Sequence, residues 1–111
     1  MQFVARHRRA PISARKARLV VDLIRGKHVN DALQILRSTS KRASYFVDRV
    51  LRSAMANADQ SLEADMDNLK VAEAWVDEGP TQRKWKPRPR GRAVTIRSHT
   101  CHINLVLDDG Q

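Results

Sequence analysis

Thr81-Gln-Arg-Lys-Trp-Lys-Pro-Arg-Pro-Arg-Gly-Arg-Ala-Val-Thr-Ile-Arg-Ser98 decides how this chain folds, because it cannot belong to a core. It is too basic and too poor in apolar residues to bury a face of its own. Gly91 suits a turn, and Pro87 and Pro89 fit only an extended edge or a loop. The segment therefore predicts a basic arm made of two strands, spanning residues 80–99. About eleven residues lead from Pro80 to Gly91, a reach of about 35 Å at roughly 3.3 Å per residue. A two-stranded ribbon alone is marginal in water, so the arm needs a partner to become well ordered.

Working outward, both flanks read as strands. Leu69-Lys-Val-Ala-Glu-Ala-Trp-Val76 precedes the arm, with Gly79-Pro80 marking its exit. Cys101, Ile103, Leu105 and Leu107 follow it, alternating with His102, Asn104 and Val106 as a half-buried strand does. Further upstream the period changes to that of helices. Ser13 is a plausible N-cap and Gly26 a C-terminal stop, and between them Ala17, Val20, Val21 and Ile24 make one apolar stripe. A second, short helix is expected after Asn30, with Asp31 in its first turn. A third runs from near Ser40 to about Asp59, on the stripe Ala43, Val47, Val50, Leu51, Ala54 and Ala58. Residues 2–9 read as a short strand, ended by Pro11. The fold class is α+β: three helices packed on a small antiparallel sheet, with a long protruding β-hairpin. One domain fills residues 1–111, its globular part being 1–79 with 100–111.

The charge is segregated. The chain carries +9, but residues 1–21 hold six basic residues and no acid, and residues 79–111 hold seven basic residues against Asp108 and Asp109. The middle, residues 22–78, is close to neutral, with eight basic and ten acidic residues. From Gly79 to Leu107 there is no carboxylate. Charge kept for solubility is interspersed with the opposite sign, so this division predicts a polyanionic partner. The expected RNA contacts at one end of the chain are its cations Arg6, Arg8, Arg9, Arg15, Lys16 and Arg18. In the arm they are Arg83, Lys84, Trp85, Lys86, Arg88, Arg90, Arg92 and Arg97. Arginine bridges phosphate oxygens with a planar fork, and Trp85 can stack on an unpaired base. Packing of Trp85 against Ile96 across the ribbon is the equal alternative.

Other chemistry finds little support. His99, Cys101 and His102 lie close together, but on a strand His102 points away from the other two. No second Cys/His pair stands at zinc-finger spacing, and there is neither a Gly-rich phosphate loop nor a nucleophile–base pair. No catalytic residue, metal or cofactor is expected. A lone cysteine cannot form an internal disulfide, and no apolar run reaches bilayer length. The chain is expected to be soluble and cytoplasmic, with no membrane partner. A DNA-binding regulator built on the first two helices is the main rival, but its recognition helix offers only Gln34 and Arg37 to read bases. A basic nuclease is weaker still.

Several blocks in one order carry a resemblance. Ser13-Ala-Arg-Lys-Ala-Arg-Leu-Val-Val-Asp-Leu-Ile-Arg-Gly-Lys27, Val50-Leu-Arg-Ser-Ala-Met-Ala-Asn-Ala58, Val76-Asp-Glu-Gly-Pro80, Pro87-Arg-Pro-Arg-Gly-Arg-Ala93 and Thr100-Cys-His-Ile103 together resemble the L22 family of bacterial large-subunit ribosomal proteins. The resemblance implies a structural constituent of the large subunit that binds and bridges large-subunit ribosomal RNA and assists assembly. It implies neighbouring large-subunit proteins as partners and a ribosome-bound, cytoplasmic location, with no DNA, and it adds Ser13 to Lys16 and Arg18 at an RNA-facing start of the first helix. It also implies a hairpin tip, here Arg88, Pro89, Arg90, Gly91, Arg92 and Ala93, that lines the nascent-peptide exit tunnel and meets the nascent polypeptide. Pro89 stands where the family usually has alanine, Ser98-His99 where a Lys-Arg pair is common, and Cys101 where serine is common.

Overall fold

A computed structural model describes residues 1–61 and 64–110, with the backbone alone at Arg88 and Arg92. The order of elements is β1 (Gln2–Ala10), α1 (Ala14–Ile24), α2 (Val29–Ser38), α3 (Arg42–Gln60), a short 3₁₀ turn (Met66–Asn68), β2 (Lys70–Glu78), β3 (Gln82–Arg88), β4 (Arg92–Ser98) and β5 (Cys101–Asp108). The architecture is α+β, as the periodicities predict.

β5 lies between β1 and β2, antiparallel to both. That central place changes one expectation. Asn104 and Val106 were expected on an open face, yet each is only 4% exposed. Strands on both sides close over them, with Arg6 and Trp75 opposite Asn104, and Val4 and Glu73 opposite Val106. On the other face, α3 packs on β1 and β5, α1 packs on β2, and α2 touches both helices. Val20, Val21, Ile24, Val47, Leu51, Leu69, Val71, Ile103, Leu105 and Leu107 form the core. A bulge at Ala72 in β2 brings Val71 onto the same buried face as Ala74 and Val76.

α1 has the ends its sequence predicts. Ser13 accepts the Lys16 N–H at its start, and the chain leaves it at Gly26. α2 begins before Asn30, not after it. His28 caps it: Nδ1 accepts the Asn30 N–H at 3.2 Å while Nε2 lies 2.7 Å from the Asp67 carbonyl. An imidazole protonated on Nε2 satisfies both contacts. Main-chain bonds from Val29 to Leu69 and from Val71 to Lys27 join this turn to β2.

The arm leaves the body at a narrow neck. The Gly79 N–H donates to the Thr100 carbonyl at 2.9 Å, and the Thr100 hydroxyl donates to the Pro80 carbonyl at 2.6 Å. A Cβ on Gly79 would stand 2.5 Å from the Thr100 hydroxyl, so a larger residue would have to push that hydroxyl off its bond to the Pro80 carbonyl. Beyond it β3 and β4 pair only with each other, from Gln82–Ser98 to Arg88–Arg92. The buried apolar cluster passes from Val76 to Cys101 with no member in the arm. The Cα radius of gyration is 17.2 Å, and the extents are 64 × 24 × 17 Å. A compact chain of this length would have a radius near ~13 Å, so the arm projects as a spike.

Candidate nucleic-acid interface

β1 is an edge strand, and its polar residues face outward by alternation: Arg6 and Arg8 are exposed, and Ala5 is buried. After His7 the alternation breaks. His7 pairs with Ile103 and Ala10 with Cys101, so Arg8 and Arg9 together oppose His102 alone. Arg9 takes a positive φ of 58°, and its N–H donates to His102 Nδ1 at 3.0 Å. A non-glycine residue in that region costs roughly 1 kcal/mol. The bulge turns Arg9 toward the root of the arm.

There a cleft of about 810 Å³ opens between body and arm. Arg9, Ser13, Lys16 and Arg42 line it from the body, and Gln82, Ser98 and His99 line it from the arm. A second hollow on the other flank of the root includes Ser13, Arg15, Arg18 and Thr81. Five of the residues expected to touch RNA, Arg9, Ser13, Arg15, Lys16 and Arg18, thus gather around the neck from β1 and the start of α1. None of them is in an ion pair among the described residues.

Arg18 is different. Its Nε and Nη2 donate to the Val76 carbonyl at 3.3 and 3.0 Å. Seven residues on, Arg25 does the same to the Ala74 carbonyl at 3.1 and 2.7 Å, and its Nη1 meets Asp22 at 2.8 Å. β2 is the other edge of the sheet, and the two guanidinium groups occupy carbonyls that no strand covers. Asn57 Nδ2 serves β1 likewise, donating to the Val4 carbonyl at 3.1 Å. Helix side chains thus occupy two outward carbonyls on the β2 edge and one on the β1 edge.

Two cations of the neutral middle segment also reach this surface, and reading the sequence missed them. Arg42 enters the root cleft, with its guanidinium 5.6 Å from the centre of the Phe46 ring. Arg49 shares a shallow pocket with Arg6, Arg8 and Ser53, and its Nη1 donates to the Tyr45 hydroxyl at 3.3 Å. The available signal was their spacing, two helical turns apart on the side of α3 that carries exposed Tyr45. By contrast, Arg52 on the same helix is paired with Asp48 at 3.0 Å.

In the arm, register sorts the side chains. Residues directly opposite one another share a face, so Arg83 with Arg97, Trp85 with Thr95 and Pro87 with Ala93 lie on one side. Lys84 with Ile96 and Lys86 with Val94 lie on the other. Trp85 and Ile96 point in opposite directions, which removes the packing alternative. Trp85 is 73% exposed. Arg90 (φ 68°) and Gly91 (φ 71°) take consecutive left-handed conformations at the tip, between Pro89 and Ala93. Glycine adopts that conformation freely. The side chains of Arg88 and Arg92 lie outside the described residues.

The His/Cys group disperses. Cys101 is fully buried, burial pushes its thiol up from the ordinary value, and the Arg18 guanidinium opposes that shift. His102 has one ring nitrogen engaged by Arg9, and His99 lines the root cleft. No described helix is long and apolar enough to cross a membrane. A family model described as ribosomal protein L22p/L17e matches residues 5–108, from β1 through the last residue of β5.

Proposed function

This chain belongs to the ribosomal protein L22p/L17e family, and from that membership we propose that it binds and bridges segments of large-subunit RNA in a ribosome of bacterial type. The family is a structural constituent of the ribosome and not an enzyme. The observation that carries the proposal is the placing of cations that are in no ion pair among the described residues. Arg6, Arg8, Arg9, Arg15, Lys16, Arg42 and Arg49 surround the neck and one flank of the body, while the arm continues the basic surface outward.

Folded RNA brings phosphates of separate strands close together, and their repulsion opposes that approach. Cations held by a rigid body relieve it without having to be ordered at the moment of binding. The body grips one RNA segment around the neck, and the arm enters a crevice between others, recognising shape and backbone. The tip, Arg88 to Ala93, then lines the nascent-peptide tunnel and meets the growing chain. Neighbouring large-subunit proteins complete the surroundings of this ribosome-bound, cytoplasmic protein.

Co-sedimentation through sucrose gradients tests this reading. A tagged copy in cell lysate should travel with the large subunit and stay there through a high-salt wash. Release at moderate salt, with duplex DNA competing as well as structured RNA, would overturn it. For the tip, a photo-crosslinking residue at Ala93 should label nascent chains on translating ribosomes, and labelling of RNA alone would remove the tunnel assignment.

A further inference from the structure

We propose that Trp85, flanked by the Arg83–Arg97 pair, is a stacking platform for a single unpaired RNA base; this rests on the RNA-binding reading above. Three features of the arm converge on it. First, register leaves the indole uncovered: its cross-strand neighbour is Thr95, its neighbours along the strands are Arg83, Pro87, Ala93 and Arg97, and it is 73% exposed. Second, the ribbon's two faces differ. On the opposite face Val94 and Ile96 are 43% and 40% exposed, beside Lys86 and Lys84 whose stems can shade them. On the face with Trp85 the apolar neighbours, Pro87 and Ala93, are small, and the ring stays largely open to solvent.

Third, Arg83 and Arg97 stand directly opposite each other, with no acid in the sequence from Gly79 to Leu107. Like charges directly opposite across a ribbon are destabilising. Such a pair is relieved by an anion bound between them. One strand pleat separates that pair from Trp85, so a nucleotide can place its base on the indole and a phosphate between the guanidinium groups. The compact Pro87 ring and small Ala93 on the tip side leave room for the base. Bases inside a duplex already stack on each other, so the ligand is a bulged or looped nucleotide of folded RNA.

The probes are two RNA hairpins with the same stem, one bulging a single adenosine and the other an abasic residue. The full-length protein should bind the adenosine hairpin roughly tenfold more tightly. Trp85→Ala should remove that preference and leave the salt dependence of binding unchanged, whereas Trp85→Phe should keep part of it. Arg83→Gln should instead lower the salt slope by roughly one contact. Trp85 is outside the core, so these variants should keep the parent melting curve. Equal binding of the two hairpins by the parent protein would overturn the platform while leaving RNA binding intact. Failure to bind either hairpin, or the large-subunit RNA itself, would count against the RNA-binding reading as well.

Discussion

Replacing Lys84–Ile96 with Asn-Gly would remove the arm while leaving Arg83 and Arg97 as partners around a two-residue turn of a kind that hairpins favour. The structure predicts that the body will not notice. No residue of the excised segment belongs to the buried apolar cluster. Its largest apolar side chains, Trp85, Val94 and Ile96, remain 73%, 43% and 40% exposed. Had Val94 and Ile96 owed their partial burial to the body, losing both would cost about 2–4 kcal/mol. That would lower the melting temperature by roughly 10–25 °C for a domain of this size. Register assigns the burial to Lys84 and Lys86 within the ribbon, so that cost should not appear. Shortening the excursion from about twenty to about nine residues should even contribute around 0.6 kcal/mol through easier loop closure.

Thermal unfolding by circular dichroism should therefore give a midpoint within about 3 °C of the parent. RNA binding should respond strongly. Five cations leave with the segment, Lys84, Lys86, Arg88, Arg90 and Arg92. If each neutralises a phosphate, the slope of log affinity against log salt should become shallower by about 4. A fall in melting temperature of more than roughly 10 °C would refute the separation of arm from body. An unchanged salt slope would refute the assignment of phosphate contacts to the arm.

Two further substitutions probe the body. Arg25→Gln should destabilise by about 1 kcal/mol in urea titration, since the side chain is 47% exposed and its bond to the Ala74 carbonyl is partly screened; no loss would mean that water serves that edge equally well. Leu51→Asp should abolish cooperative unfolding, because Leu51 is fully buried in α3 and the new carboxylate would have no partner there; a native-like melt would show that the buried face of α3 is misassigned.

What could be read in advance was whatever is encoded locally. Ser13 and Gly26 bound α1 because capping and stopping act within one turn of chain. The arm was legible for a similar reason: a carboxylate-free segment with Pro87, Pro89 and Gly91 has few ways to fold. α2 was misjudged by two residues because its cap is His28, and the partner that orients that ring is the carbonyl of Asp67, thirty-nine residues away. Nothing in the local sequence distinguishes such a histidine from any other. Arg18 and Arg25 show the same limit from the other side. In sequence they are free cations on a basic helix, and only the neighbouring edge of β2 turns them into fasteners.

The omission of Arg42 and Arg49 from the basic surface has a more general cause. Net charge summed along the chain made residues 22–78 nearly neutral, yet an RNA partner meets a surface, not a segment. Of the acids of α3, Asp48 pairs with Arg52 within the helix, while Arg42 and Arg49 emerge beside Arg6, Arg8 and Arg9. The basic surface is thus assembled from β1, α1 and α3, elements separated in sequence and fixed relative to each other by one apolar core. That rigidity matters for the function proposed. Cations on flexible tails must be ordered as they bind, at a cost in entropy that offsets much of their attraction. On the proposed function, a body ordered by its own core would set the arm's point of entry before the arm engages RNA.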